Sequence, residues 1–152
     1  MAYQKLQGRR AIDVVPNDDV IIPGPGSESV SGTTDGSVAN KLVDSTANFT
    51  GKVKIGATVY AANQVATVTS VSQTELGLSA NIAQLVGVSY VVYNISSEGP
   101  VLFVGTGGDL NIETVGGDDV LLKNINNASF IPIMVNKVKA TSTTCADIIA
   151  LW

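Results

Sequence analysis

The sequence predicts an all-β protein. Three observations carry that expectation. Apolar residues almost never recur at i, i+3, i+4 and i+7, the spacing of a buried helix face. Short alternating runs rich in Val, Ile and Thr recur instead, the composition that suits a pleated, half-buried strand. Gly, Asn, Asp and Ser bound those runs as turn residues do. Together they describe a sandwich or a barrel.

Along the chain, residues 1–12 are polar and hold the basic Lys5, Arg9 and Arg10. DVVPNDDVIIPGPGS (13–27) offers one strand, Val20-Ile21-Ile22, between Pro16 and Pro23. Proline gives no N–H to a ladder, so this strand is short or lies at an edge. Pro-Gly-Pro-Gly then forces a turn. ESVSGTTDGSVANK (28–41) is small and polar and reads as a linker. LVDSTANF reads as a strand end and one helical turn, with Asp44 or Ser45 as its cap. Gly56 marks a turn between Val53, Ile55 and Val59. Ala61-Ala62-Asn63-Gln64 reads as a hairpin loop, and Ser72-Gln73-Thr74 as another turn. Strands are expected around Val65–Val71, Leu76–Leu78 and Val88–Val92. Several short strands in so few residues fit a small SH3-like barrel or compact sandwich. Beyond Gly99 the strands lengthen: VLFVG, LNIETV, DVLLKNI, FIPIMVNKVKAT and DIIALW, the last ending on the single tryptophan. A segment that apolar is expected to dock in a sheet.

Composition narrows the chemistry. The 152 residues suit one domain or two very small ones. Charged residues are 14 % of the chain, against about 25 % in ordinary domains. So little charge predicts either that part of the apolar surface is covered by other subunits or that the chain is a glycine- and threonine-rich β protein. Net charge is −4, without a basic footprint for nucleic acid. No apolar run reaches the roughly 18 residues of a membrane helix. The first residues lack a secretory signal pattern, so the Asn-x-Ser/Thr triplets at Asn48, Asn94 and Asn127 read as chance. There is no histidine, which removes the commonest general base and metal ligand. The single Cys145 forms no intrachain disulfide and reads as a small buried hydrophobe.

VLFVGTGGDLNIETVGGDD (101–119) has the beginnings of a phosphate loop. A dinucleotide fingerprint needs a third glycine, where Leu110 stands, and a following helix. The next segment alternates as a strand. The stretch is therefore expected to be a hairpin turn at Gly107-Gly108 or Gly108-Asp109, with Gly116-Gly117-Asp118 as the turn at the strand's other end. Asp18-Asp19 and Asp118-Asp119 are adjacent and point to opposite faces of a strand, so neither is an acid/base pair. No catalytic, cofactor or metal residue is assigned, and the chain is not expected to be an enzyme.

The C-terminal third resembles a family of small virion proteins, the head spike base proteins of gene transfer agents and tailed phages. The residues that carry the resemblance are Leu102-Phe103-Val104-Gly105-Thr106-Gly107-Gly108-Asp109-Leu110, Gly116-Gly117 and Ile131-Pro132-Ile133. The close from Ala140-Thr141 through Thr143-Thr144 and Ala146-Asp147 to Ile148-Ile149-Ala150-Leu151-Trp152 completes the pattern. The resemblance implies a jelly-roll-like sandwich on the capsid exterior, ring-forming and fibre-carrying, with no catalytic residues. It departs from the short family members by an intervening segment that is similar to a module of marine phage structural proteins. The expected organisation is an anchoring sandwich of residues 1–26 and 99–152 and an inserted β-domain of 27–98.

The expected function is that of a virion structural protein, a spike-base or decoration subunit on the particle exterior, assembled in the host cytoplasm. Its partners are then itself, in a trimeric or pentameric ring, the major capsid or other virion proteins, and a fibre protein. Neither nucleic acid nor membrane is a partner. Arg9, Arg10, Ile148, Leu151 and Trp152 are the candidate assembly contacts. The alternative is a carbohydrate- or host-surface-binding module with Tyr60, Asn63 and Tyr90 as contacts.

Overall fold

The computed structural model describes residues 10–23, 28–82, 86–94 and 99–152. Among them the chain is all-β, with thirteen strands and no helix. In chain order these are β1 Ala11–Asp13, β2 Glu28–Thr33, β3 Lys41–Val43, β4 Thr58–Ala61, β5 Gln64–Val71, β6 Glu75–Leu78 and β7 Ser89–Tyr93. Then follow β8 Val101–Thr106, β9 Gly108–Thr114, β10 Asp119–Ile125, β11 Ser129–Ile131, β12 Val135–Val138 and β13 Ala146–Leu151. Every pairing is antiparallel. The chain divides into two compact units, Met1–Asp18 with Glu98–Trp152, and Asp19–Ser97.

The Asp19–Ser97 unit is a six-stranded sheet of order β2-β7-β4-β5-β6-β3. Its inner face buries Leu42, Phe49, Val59, Ala66, Val68, Leu76, Tyr90 and Val92. The sheet curls until its two ends meet. Thr34 N–H donates to the Val88 carbonyl at 2.9 Å, which prolongs the β2–β7 ladder. The next N–H, from Asp35, donates to Val43 of β3 at 3.0 Å. This bond ties the chain just after β2 to β3 and curls the sheet into a half-barrel, while β2 itself pairs only with β7 among the described strands.

The closing seam is polar. Asp44 follows β3 and is 3 % exposed. Its carboxylate accepts the Tyr90 hydroxyl at 2.6 Å on one oxygen. The other oxygen takes the Thr46 N–H, the Thr46 hydroxyl and the Ala47 N–H. Burial pushes the Asp44 carboxyl up, but these hydrogen bonds together outweigh it and hold it below the usual range. Burial first, then the Asp44 hydrogen bond and charge, push the Tyr90 hydroxyl well above its ordinary value. Gly32 of β2 passes over this pair, and a Cβ there would meet the Asp44 and Tyr90 oxygens at 2.7 Å. The hydroxyl and carboxylate thus require a glycine above them.

Three local expectations in this unit are overturned. Residues 28–33, read as linker, form β2. Small polar residues hid its alternation, because this edge strand packs little more than Val30 against the core. Val20-Ile21-Ile22 is not a strand, although Val20 and Ile22 are buried. The Thr58 hydroxyl donates to the Ile21 carbonyl at 3.1 Å. Residues 44–47 form a turn and not a helical turn, although Asp44 caps it as expected, its side chain accepting the Thr46 and Ala47 N–H groups. The Ala62-Asn63 turn is as expected, with both residues at positive φ, the requirement of a type I′ hairpin.

The other unit has two sheets, β1-β13-β8-β11 and β10-β9-β12. The first buries Leu102, Val104, Ile148 and Ala150, and the second Leu110, Ile112, Val135 and Val138. Two sheets with one apolar face each make a sandwich. The chain crosses between them at two places that sequence alone misread. Gly107 and Gly108 are not a hairpin turn, because β8 and β9 pair in different sheets. A Cβ at Gly107 would sit 2.2 Å from the Ile125 carbonyl oxygen, and one at Gly108 2.6 Å from the Thr144 hydroxyl. These glycines permit close approach at a sheet-to-sheet corner. FIPIMVNKVKAT, read as one strand, is β11 and β12 with Pro132 between them, again in different sheets. Proline's missing N–H ends one ladder as the chain changes layer. The Gly116-Gly117 turn is as expected: Gly117 has φ +89° and joins β9 to β10.

Two outcomes test these assignments. Tyr90→Phe leaves a buried carboxylate oxygen without its donor and lowers unfolding free energy by about 1–3 kcal/mol, read from the denaturant midpoint. In pH titrations of stability, the Asp44 contribution is full above its unfolded value of about 3.9 and disappears as pH falls through the lower folded value. Tyr90 behaves oppositely. Its contribution is full below an unfolded value of about 10 and disappears as pH rises through the higher folded one. Tyr90→Phe therefore flattens the alkaline limb of the profile.

Candidate functional site

The first sheet of the sandwich unit presents the candidate surface. Its central strands are β8 and β13, in register from Ala146↔Thr106 to Leu151↔Val101. Side chains alternate, so Leu102, Val104, Ile148 and Ala150 face inward. Val101, Phe103, Ile149 and Leu151 face outward and are half-buried. β11 extends the row: Phe130 pairs with Phe103, which pairs with Ile149. Phe130 is 45 % exposed. At a second level Val101 pairs with Leu151, which pairs with Ala11 of β1. The result is an apolar outer face across four strands.

Charge lies at its margins. Asp13 of β1 pairs opposite Ile149 at one side. Asp147 accepts the Thr106 hydroxyl at 2.6 Å near one end. A Cβ at Gly105 would lie 2.8 Å from the Asp147 Cβ, so a glycine is needed opposite that side chain. At the other end the β1–β13 ladder gains one pair. Trp152 N–H donates to the Arg10 carbonyl at 3.1 Å, and Arg10 N–H to the Trp152 carbonyl at 3.4 Å.

Of the candidate assembly residues, the structure brings Arg10, Leu151 and Trp152 together at this end of the sheet. Arg10 is exposed, and Leu151 and Trp152 are half-buried. Arg9 lies outside the described residues. Ile148 is corrected: it is 3 % exposed and belongs to the core. It lies three positions before Leu151, and an odd separation puts two strand residues on opposite faces. Ile149 takes its place on the outer face. Sequence reasoning missed Ile149, Phe103 and Phe130, although the parity of Leu151 pointed to the first.

The binding-module residues do not converge. Tyr90 is 2 % exposed and occupied by Asp44. Tyr60 packs edge to face against Tyr93, with ring centroids 5.6 Å apart. Asn63 alone of the three is exposed, in the β4–β5 turn.

Other polar groups have structural partners. Asp18 accepts the Thr141 N–H and hydroxyl, which hold its carboxyl below the usual range. Burial, then the Asp109 charge, pushes the Cys145 thiol up, so it is a poor nucleophile. Its N–H and that of Thr144 both donate to the Asp109 carbonyl. β9, and not a helix, follows the Gly107-Gly108 corner, so no helix N-terminus stands there for a phosphate. Among the described residues no group of His, Cys, Asp and Glu could hold a metal ion. No helix in the described residues is long and apolar enough to cross a membrane. Comparison with protein-family models, curated proteins and solved structures gave no match.

The face assignment has a direct check. Ile148→Ala opens a core cavity and costs about 2–5 kcal/mol in chemical unfolding. Ile149→Ala, one residue on, costs markedly less. Equal losses at the two positions would reverse the face assignment of β13.

Proposed function

We propose that this chain is a non-enzymatic structural subunit of a tailed-phage or related particle, a spike-base or decoration protein on the capsid exterior. The apolar outer face of β8, β11 and β13 carries the reading. Val101, Phe103, Phe130, Ile149 and Leu151 lie together where a lone subunit would show water a polar face. Such patches mark contact surfaces. The 14 % share of charged residues agrees with a chain whose surface is largely covered by neighbours. The resemblance of the last third to spike base proteins supplies the particle.

In this reading the sandwich unit anchors the subunit and the Asp19–Ser97 unit is an inserted module. Subunits meet through the outer face and close into a ring of three or five, so that each apolar face is buried once. Arg10 and Trp152, at the rim of that face, contribute to contacts with a neighbouring subunit or the shell. Partners are sister subunits, the major capsid protein and a fibre protein.

The test is light scattering of the purified chain and its cosedimentation with capsids that lack it. A closed oligomer that binds such capsids is expected. Phe103→Ser with Phe130→Ser, two outward substitutions, is expected to abolish both while the subunit stays folded. A folded monomer at micromolar concentration that binds no capsid would overturn the reading.

A further inference from the structure

We infer that the free edge of β10 is a self-recognition site, which pairs antiparallel with β10 of a second copy about a two-fold axis through Leu121. The inference rests on the backbone and charges of residues 119–123. It does not rest on the virion reading.

β10 is an edge strand, paired to β9 and to no other described strand. Val120 and Leu122 pair with the buried Ile112 and Leu110 and face the core. Asp119, Leu121 and Lys123 face solvent, with Leu121 41 % exposed. The hydrogen-bond parity follows from the turn. Thr114 N–H donates to the Asp118 carbonyl at 2.9 Å. Bonded and non-bonded pairs alternate along an antiparallel ladder. The pairs Ile112–Val120 and Leu110–Leu122 are then the bonded ones. Asp119, Leu121 and Lys123 turn their N–H and C=O groups away from β9, to the side where no described strand pairs with β10.

The usable edge has a definite end. The register shifts between Leu122 and Ile125, and Asn124 has φ +55°. The Asn124 N–H turns back to the Asp109 carboxylate at 3.0 Å. A partner strand can therefore pair from Asp119 to Lys123 and no further. Centred on Leu121, two such edges put Leu121 opposite Leu121 and Asp119 opposite Lys123, twice. Centred on Asp119 or on Lys123, they oppose like charges, which is unfavourable. One symmetric register satisfies the charges. Lysine on an edge usually guards against pairing. Here it admits one partner, a second copy. Asp119 is 62 % exposed while it holds Lys139 at 2.6 Å through one carboxylate oxygen, so its other oxygen can take Lys123 of the partner.

A strand pair this short falls below the roughly 1,200 Å² of a stable interface. The contact is weak alone and gains strength where copies are concentrated. Cross-linking is the suitable readout. Leu121→Cys places two thiols on the axis, with Cα atoms about 5.5 Å apart, within the range of about 4.4–6.8 Å that a disulfide accepts. Mild oxidation of the full chain is expected to give a covalent dimer from Leu121→Cys. Lys123→Cys, more distant from its own copy, and the wild type with its buried Cys145, are expected to give none. Asp119→Cys with Lys123→Cys on one chain is expected to couple. Adding Lys123→Glu to Leu121→Cys is expected to slow coupling several-fold, and high salt to slow it less. Equal coupling of Leu121→Cys and Lys123→Cys means random collision and overturns the inference. So does a Leu121→Cys chain that remains folded and monomeric.

Discussion

The Asp44 carboxylate and the Tyr90 hydroxyl, 2.6 Å apart, tie together two strands that the sheet order places far apart. Asp44 follows β3 at one end of the order, and Tyr90 lies on β7 beside the other end. Without this bond the curled sheet would bury one carboxylate oxygen of Asp44 without its donor from across the sheet, which is costly. Thr46 and Ala47 donate to it from the turn it organises, so the same side chain ends β3 and seals the seam. Phe49, directly after that turn, packs against the Tyr90 ring at a centroid distance of 6.1 Å. Polar closure and apolar core thus meet on one side chain. Gly32 follows from that arrangement, since any Cβ would strike both oxygens.

The sandwich unit handles its edges differently. Each edge of its two sheets is treated locally. β1 and β11 are three residues each, too short to template much. β12 receives the Asn17 N–H at its Val138 carbonyl. Two of its residues are engaged by Glu113, Lys137 in an ion pair at 2.9 Å and Asn136 by donating a hydrogen bond to the same carboxylate. Lys137 and Asn136 hold the Glu113 carboxyl below the usual range. β10 is the long edge, and its protection is selective where the others are blunt. The unit therefore has two distinct unsatisfied surfaces, an apolar face and a polar edge. They lie on different sheets, so contacts through one do not exclude contacts through the other.

Much of the fold was legible because alternation or a short apolar run marks a buried strand. Leu110–Thr114 alternates in sequence, Val101–Val104 and Ile148–Leu151 are short apolar runs, and each lies in a strand. Turns with a positive-φ requirement were legible too, as at Ala62-Asn63 and Gly116-Gly117. The failures have a common cause. β2 is an edge strand of small polar residues, and its pairing is set by β7, which lies far along the chain. Val20–Ile22 looks like a strand because it is apolar and β-branched, yet Val20 and Ile22 are buried outside any strand. The crossings at Gly107 and Pro132 depend on which layer a strand joins, and periodicity is silent on layers. The candidate surface was half legible. Leu151 and Trp152 stood out as apolar residues at the end of a strand. Phe130 and Phe103 join them only through a three-strand register that one sequence does not display.

The pairing of Glu28 with Tyr93 has a consequence for how the discontinuous sandwich assembles. The segment between β1 and β8 is long, but its first and last paired residues lie side by side once that unit has folded. From the viewpoint of β1 and β13, a long tether has become a short one. Loop closure depends on the logarithm of length, so the folded insert lowers the entropy of docking β1 by on the order of 1–2 kcal/mol. That is comparable to what three residues of edge strand contribute by hydrogen bonding. Melting the insert would thus loosen β1 through the chain itself, with no contact between the units required. The two units are then coupled by connectivity, and the inserted one acts as a clasp on the order in which the other completes its sheet.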